Sequence, residues 1–239
     1  MTFPKSVRII AQFFIIMGNL LPGIIWGATS PSSHPVAATK TPTKPSIPLT
    51  SLTGQNLYDH YPWSVLYYYG WTVSNPLIDV LTLHDLQRWP ETIQSFELAY
   101  TLSEQNPVRR FFNPIVGVIQ LAGNFTVRDG KNEPTIYEFD PYMIFRWANF
   151  PWNKYLNTSF ALAEGVSYVT SVPAVEKKDN DNTKRFLNYL IVELTFAAAE
   201  FPRLQLVARI HHRSGAFGLY HAGNTGSNDL GLGLRYLFD

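Results

Sequence analysis

No cysteine occurs among the 239 residues. That excludes disulfides, thiol nucleophiles, cysteine metal sites and a lipidated N-terminal cysteine. Charge is scarce too: 15 % of residues are charged, against roughly 25 % in ordinary soluble domains. The formal net charge is +1, so nothing calls for a nucleic-acid partner held by bulk electrostatics. Mean hydropathy is only -0.06, too low for a bundle of membrane helices. His34, His60, His84 and His221 are scattered without metal-ligand spacing, and no glycine loop suited to cradling phosphate is present, so neither metal nor cofactor is expected. What the chain does have is aromatic side chains, with 6 Trp, 13 Tyr and 16 Phe. Tyr and Trp in excess suit a protein that meets two membrane–water interfaces. Low charge, many aromatics and middling hydropathy suit a barrel with an apolar outside and a polar inside, although a soluble β-sandwich shares part of this signature.

The first segment reads as an address. Lys5 and Arg8 precede an apolar run over 9–26, and small residues follow from Gly27 to Ser30. This is the order of a secretory signal peptide, assigned here to 1–28. Asn19 and Pro22 interrupt the run, which weighs against a spanning helix. Residues 29–56 are rich in Pro, Ser and Thr. They offer too little apolar surface to offset their ordering entropy, so a flexible leader is expected. The remaining 57–239 are assigned to the barrel.

From Trp63 onward apolar residues recur with period two, which gives each strand one apolar face. Strand one places Trp63, Val65, Tyr67, Tyr69 and Trp71 together; strand two does the same with Phe96, Leu98, Tyr100 and Leu102. A third strand, about 111–126, contains Pro114 and has no clear register. Strands four to eight follow near 137–147, 156–168, 190–196, 204–214 and 230–238. About eight strands, an even number, predict an all-β, eight-stranded antiparallel up-and-down transmembrane barrel. Tight connections are expected near Asn106, Pro151 and Pro202, a modest one near Gly130, and longer ones over about 73–91, 171–184 and 215–227. Both termini then share one end, in the periplasm. The face opposite the apolar one carries Glu97, Glu138, Asp140 and Glu193 with Arg146, Arg209 and Arg235. Eight strands leave a lumen just wide enough for side chains, so these charges predict a mutually compensating plug, and a transport pore is disfavoured.

The informative segment is Arg209-Ile210-His211-His212-Arg213-Ser214-Gly215. Leu204, Leu206, Ala208 and Ile210 share the lipid-facing parity, and His212 and Ser214 continue it. Arg209, His211 and Arg213 point inward. An i, i+2 pair on one strand face brings a hydroxyl near a base that titrates in the useful range. The pair is suited to attack an ester in the outer leaflet. The alternative is that the strand simply leaves the apolar zone at Ile210 and the two side chains rest among headgroups.

The strand ending in His-x-Ser, the polar Gly/Asn loop after it and the alternating last strand resemble the lipid A 3-O-deacylase family. The resemblance covers the barrel loosely and the last 35 or so residues more closely. It implies an eight-stranded outer-membrane barrel that removes an ester-linked 3-hydroxyacyl chain from lipid A with a Ser–His–Glu triad on its outer surface. Ser214 would be the nucleophile and His212 the base. At the acid position, counting back from Phe238 by twos reaches Asn228, not a glutamate; the neighbouring Asp229 has the inward parity. Gly215 stands where the family has an asparagine that helps the oxyanion, leaving a backbone N–H as the substitute. The resulting expectation is a bacterial outer-membrane ester hydrolase acting on lipopolysaccharide, with His212, Ser214 and Asn228 as the variant triad. The alternative is a non-catalytic structural or interaction barrel of the same fold. Glu164 is an outward carboxylate beside Gly165, which predicts a β-bulge. Lys177, Lys178, Lys184 and Arg185 surround an external loop and could meet lipid phosphates.

Overall fold

The structure is a computed structural model. It describes residues 52–131, 133–178, 182–216, 220–223 and 225–239. The expected signal segment and residues 29–51 of the leader lie outside the described residues. Helix α1 (Gln55–His60) leads into β1 (Trp63–Val73). Then follow α2 (Leu77–Thr82), β2 (Arg88–Thr101), α3 (Pro107–Phe112), β3 (Val118–Gly130) and β4 (Ile136–Trp147). The chain continues with β5 (Leu156–Val169), α4 (Ala174–Lys177), β6 (Phe186–Ala198), β7 (Leu204–Ser214) and β8 (Gly226–Phe238). Each strand pairs antiparallel with its neighbours in sequence, and β1 closes on β8, making a closed eight-stranded barrel.

Period two sorts the side chains as expected. Val65, Tyr67, Phe96, Leu98, Phe139, Leu206, Leu232 and Leu234 stand on the outer face and are exposed. Their neighbours Ser64, Ser95, Glu97, Glu138, Gln205 and Arg235 point inward and are buried. An apolar outside around a polar inside inverts a soluble protein, and it suits a bilayer because closure leaves no unpaired strand edge in lipid.

The lumen is filled. Near the end that carries the termini, Glu193 accepts hydrogen bonds from Arg146 (2.8 Å), Arg209 (2.9 Å) and Arg235 (2.6 Å). Glu97 pairs with Arg209 and Arg235 and also accepts from the Tyr142 hydroxyl. Towards the opposite end, Arg128 bridges Glu91, Glu138 and Asp229. There Arg213 pairs with Glu176, which α4 inserts into the mouth and which also accepts from the Ser227 hydroxyl. Gly70 lies beside the ring of Tyr68 and Gly233 beside the side chain of Leu66; a Cβ at 233 would come within 2.8 Å of Leu66. Small residues here make room for large ones, and the interior is packed rather than open.

The opposite mouth is closed by the chain before β1. Leu52, Leu57, Tyr58 and Tyr61 cluster with Val118, Ala148 and Leu237. The Tyr58 hydroxyl bonds Ser159 (3.2 Å) and Gln205 (3.3 Å), and Arg146 lies 5.1 Å from its ring centre.

Two expectations are corrected. The link near Asn106 is not a tight turn: it spans 102–117 and carries α3. Asn106 caps this helix by accepting from the Val108 N–H (2.9 Å), with Pro107 at its first position. Phe112 then covers Ile119 and Phe145 on the outer face. The third strand accordingly starts at Val118, not near 111. Nor does Glu164 sit in a bulge. The β4–β5 register is in step on both sides of Pro141, with Phe139 opposite Tyr168 and Met143 opposite Glu164.

Candidate active site

The segments that matter are the ends of β5 to β8 away from the termini. Their registers set two adjacent rows across the outer face. One row runs Glu164, Leu190, His212, Asn228; the next runs Val166, Asn188, Ser214, Gly226. Strand alternation puts His212 and Ser214 on the same outer face, about 7 Å apart at Cα. Both are half-buried. Their neighbours His211 and Arg213 are fully buried in the lumen, where His211 contacts Glu138 (2.9 Å) and the Tyr189 hydroxyl (3.0 Å). Asp229 also faces inward, held by Arg128 and by the Thr72 hydroxyl. Its carboxylate therefore stays on the far side of the barrel wall from His212.

Asn228 lies directly opposite His212, and its Oδ1 is 2.7 Å from His212 Nδ1. A second contact decides which nitrogen of the ring carries the proton. Asn228 Nδ2 donates to the backbone carbonyl of Asn75 (2.9 Å) in the β1–β2 loop. A carbonyl only accepts, so the amide nitrogen must face it, and Oδ1 is left to face the ring. Oδ1 in turn accepts only, so Nδ1 carries the hydrogen in the neutral ring and Nε2 keeps its lone pair. Asn75 Nδ2 also donates to Asp85 O (3.0 Å), and its Oδ1 accepts from the Gln87 N–H (2.6 Å), which anchors the loop that supplies the carbonyl.

Ser214 ends β7. Its Oγ accepts from the Ala216 N–H at 3.3 Å, where Ala216 has a left-handed backbone (φ 45°). Among the described residues no hydrogen bond joins Ser214 to His212. The Gly215 N–H is engaged by Thr225 O at 2.9 Å, just beyond the β7–β8 pairing. The Ala216 N–H, aimed at Ser214 Oγ, is the donor available beside the hydroxyl.

Three contributors were not singled out from the sequence. Asn75 lies in a loop far along the chain, and nothing local marks it. Asn188 continues the outward parity of β6 two residues before Leu190 and was legible on that ground. Tyr220 comes from the β7–β8 loop. Its ring packs against Phe186 (5.7 Å between centroids), and burial together with the nearby Glu164 carboxylate pushes its phenol above the ordinary value. Lys178 sits 5.6 Å from the ring centre of Trp89 at the same end of the barrel.

No family model matches the chain, and no curated protein matches it. Among solved structures, the outer membrane enzyme PagL aligns at 12 % identity with a TM-score of 0.44, over 72 % of this chain and 98 % of that one. Neisserial surface protein A (NspA) aligns at 10 % identity with a TM-score of 0.42, over 74 % and 96 % respectively.

Proposed function

We propose that this barrel resides in the bacterial outer membrane and is an ester hydrolase that removes an acyl chain from lipid A. Ser214 is the nucleophile, His212 the general base and then acid, and Asn228 the orienting group. The carrying observation is the Asn75–Asn228–His212 relay, which holds an imidazole on the outer face with Nε2 unprotonated, beside a serine of the same strand face. In the reaction, His212 Nε2 takes the Ser214 proton as Oγ attacks the acyl carbonyl. The imidazolium then passes that proton to the leaving sugar oxygen. Water, activated by the same nitrogen, releases the fatty acid and restores Ser214. Hydrogen bonds in unliganded sites are often long and tighten with substrate; Ser214 Oγ accepts from the Ala216 N–H at 3.3 Å, which leaves its own O–H free to donate to a base.

A second reading has its own support. Ser214 is turned to Ala216, and the group behind the histidine is neutral, so a non-catalytic structural barrel fits the same coordinates. Mass spectrometry of lipid A from cells expressing the wild type or Ser214→Ala decides between them. Loss of one 3-hydroxyacyl mass with the wild type alone is expected. Unchanged lipid A with a folded wild-type barrel in the membrane would establish the second reading.

A further inference from the structure

The β1–β2 link does not stand clear of the barrel. Its helix α2 folds back along the outer wall. Val80 is fully buried against Ile210 and Val73, and Leu77 and Leu86 pack around the same cluster with Trp71, Val192 and Leu230. The registers locate this contact. Val192, Ile210, Leu230 and Trp71 form one row across the outer face, and the next row towards the strand ends is Leu190, His212, Asn228 and Val73. The helix therefore packs on the wall one row from the base, on the side nearer the middle of the barrel. The same loop carries the Asn75 carbonyl that accepts from Asn228, so helix and relay belong to one tethered unit. The second face of α2 is apolar too: Ile78, Leu81 and Leu83 are 64, 45 and 66 % exposed. Of its six residues only Asp79 and Thr82 are polar, and the Thr82 hydroxyl donates to the Ile78 carbonyl (2.9 Å), which satisfies it within the helix. A helix this short with apolar residues on both faces gains little from water on either. Leu83 closes it with a left-handed backbone (φ 53°), a position that glycine ordinarily fills. A leucine held there, with its side chain exposed, is a departure that calls for a use of that side chain.

We propose that α2 is an acyl-chain seat: its Ile78, Leu81 and Leu83 face lies in the membrane and packs against the hydrocarbon of the lipid whose ester reaches Ser214. Position selects the occupant. An ester held at His212 and Ser214 sends its chain towards the middle of the bilayer, along the wall and past the row on which α2 rests. Aliphatic side chains without hydrogen-bonding groups suit a hydrocarbon chain and nothing more polar. The wall itself continues as lipid-facing surface, since Leu232 and Leu234 follow Leu230 on β8 and are exposed. The three α2 residues are positioning residues that set which chain lengths are held; they do not touch the reacting atoms. The inference rests on the esterase reading for its purpose, but the contact with lipid stands apart from hydrolysis.

The test uses the full chain, which has no cysteine of its own, refolded into phosphatidylcholine vesicles. Leu81→Cys, Leu232→Cys and Glu133→Cys each supply one thiol for a small fluorophore, and quenching by phosphatidylcholine carrying a nitroxide on its acyl chain is measured. Position 232 is exposed on the outer wall, and position 133 is exposed in the β3–β4 link. Quenching at 81 close to that at 232 is expected. Quenching as weak as that at 133, whether water or a second copy of the chain covers the helix, overturns the seat. The second arm is the double variant Ile78→Ser, Leu81→Ser, which changes exposed side chains only; heat-modifiable electrophoretic mobility verifies that the barrel folds. It should raise KM for p-nitrophenyl laurate at least about ten-fold, with kcat and the hydrolysis of p-nitrophenyl butyrate unchanged. An equal change for both esters, or a change for neither, also overturns the seat. Strong quenching at 81 with no hydrolysis by the unaltered chain would retain the lipid contact and remove the esterase.

Discussion

Glu193 is the point on which the barrel interior turns, and removing its charge has a calculable consequence. The carboxylate is 1 % exposed and accepts from Arg146, Arg209 and Arg235, themselves at most 2 % exposed. At the 2.8 Å separation of the Arg146 pair, one such contact is worth about 6 kcal/mol at an effective dielectric constant of ~20. Part of this is offset because the neutral side chain no longer has to be desolvated. Breaking one partner of a buried pair typically costs about 3–5 kcal/mol, since the other charge is left uncompensated. Glu193→Gln leaves Arg209 and Arg235 with Glu97 as their carboxylate partner and Arg146 with none among the described residues, and is expected to lose about that much. The double variant Glu193→Leu, Arg146→Leu removes one charge of each sign, and it is expected to recover most of the loss because apolar replacement of a buried pair is often neutral. Reversible urea unfolding in phospholipid vesicles, followed by tryptophan fluorescence, measures both. A Glu193→Gln loss below about 1 kcal/mol, or a double variant as unstable as the sum of its two single changes, would refute an interior held by charge compensation.

Other outcomes follow from the same coordinates. Asn228→Ala removes the acceptor that fixes the His212 ring, so under the proposed esterase mechanism kcat should fall about 10- to 100-fold with KM nearly unchanged; steady-state kinetics on a lipid ester checks it, and an unaltered kcat counts against the relay. Gly165→Ala would place a Cβ against the Pro141 carbonyl and the Tyr142 Cβ; overpacking there should cost about 1–3 kcal/mol in the same unfolding assay. The filled lumen, sealed by Tyr58 at one mouth and Glu176 at the other, should show no single-channel conductance in planar bilayers, and steady open steps would show that the plug is not static.

Strand identity and facing were legible in the sequence because period two is a local property. The side chain's face follows from counting alone, and this placed His212 and Ser214 outside, with His211, Arg213 and Asp229 inside. The compensating interior charges were legible for the same reason, as signs on one parity. Local chemistry also marked α3, where Asn106 caps and Pro107 leads, but a run of Phe and Ile after it mimicked a strand. Only closure of the barrel decided the rest. Register across β5 to β8 is a relation between segments, set by the whole circuit of hydrogen bonds, and it alone put Asn228 opposite His212 and Asn188 opposite Ser214. The Asn75 carbonyl that sets the proton on His212 lies 153 residues from Asn228 in the chain. No period reaches that far, because a contact between a loop and a distant strand is determined by where folding carries the backbone, not by the residues on either side of it.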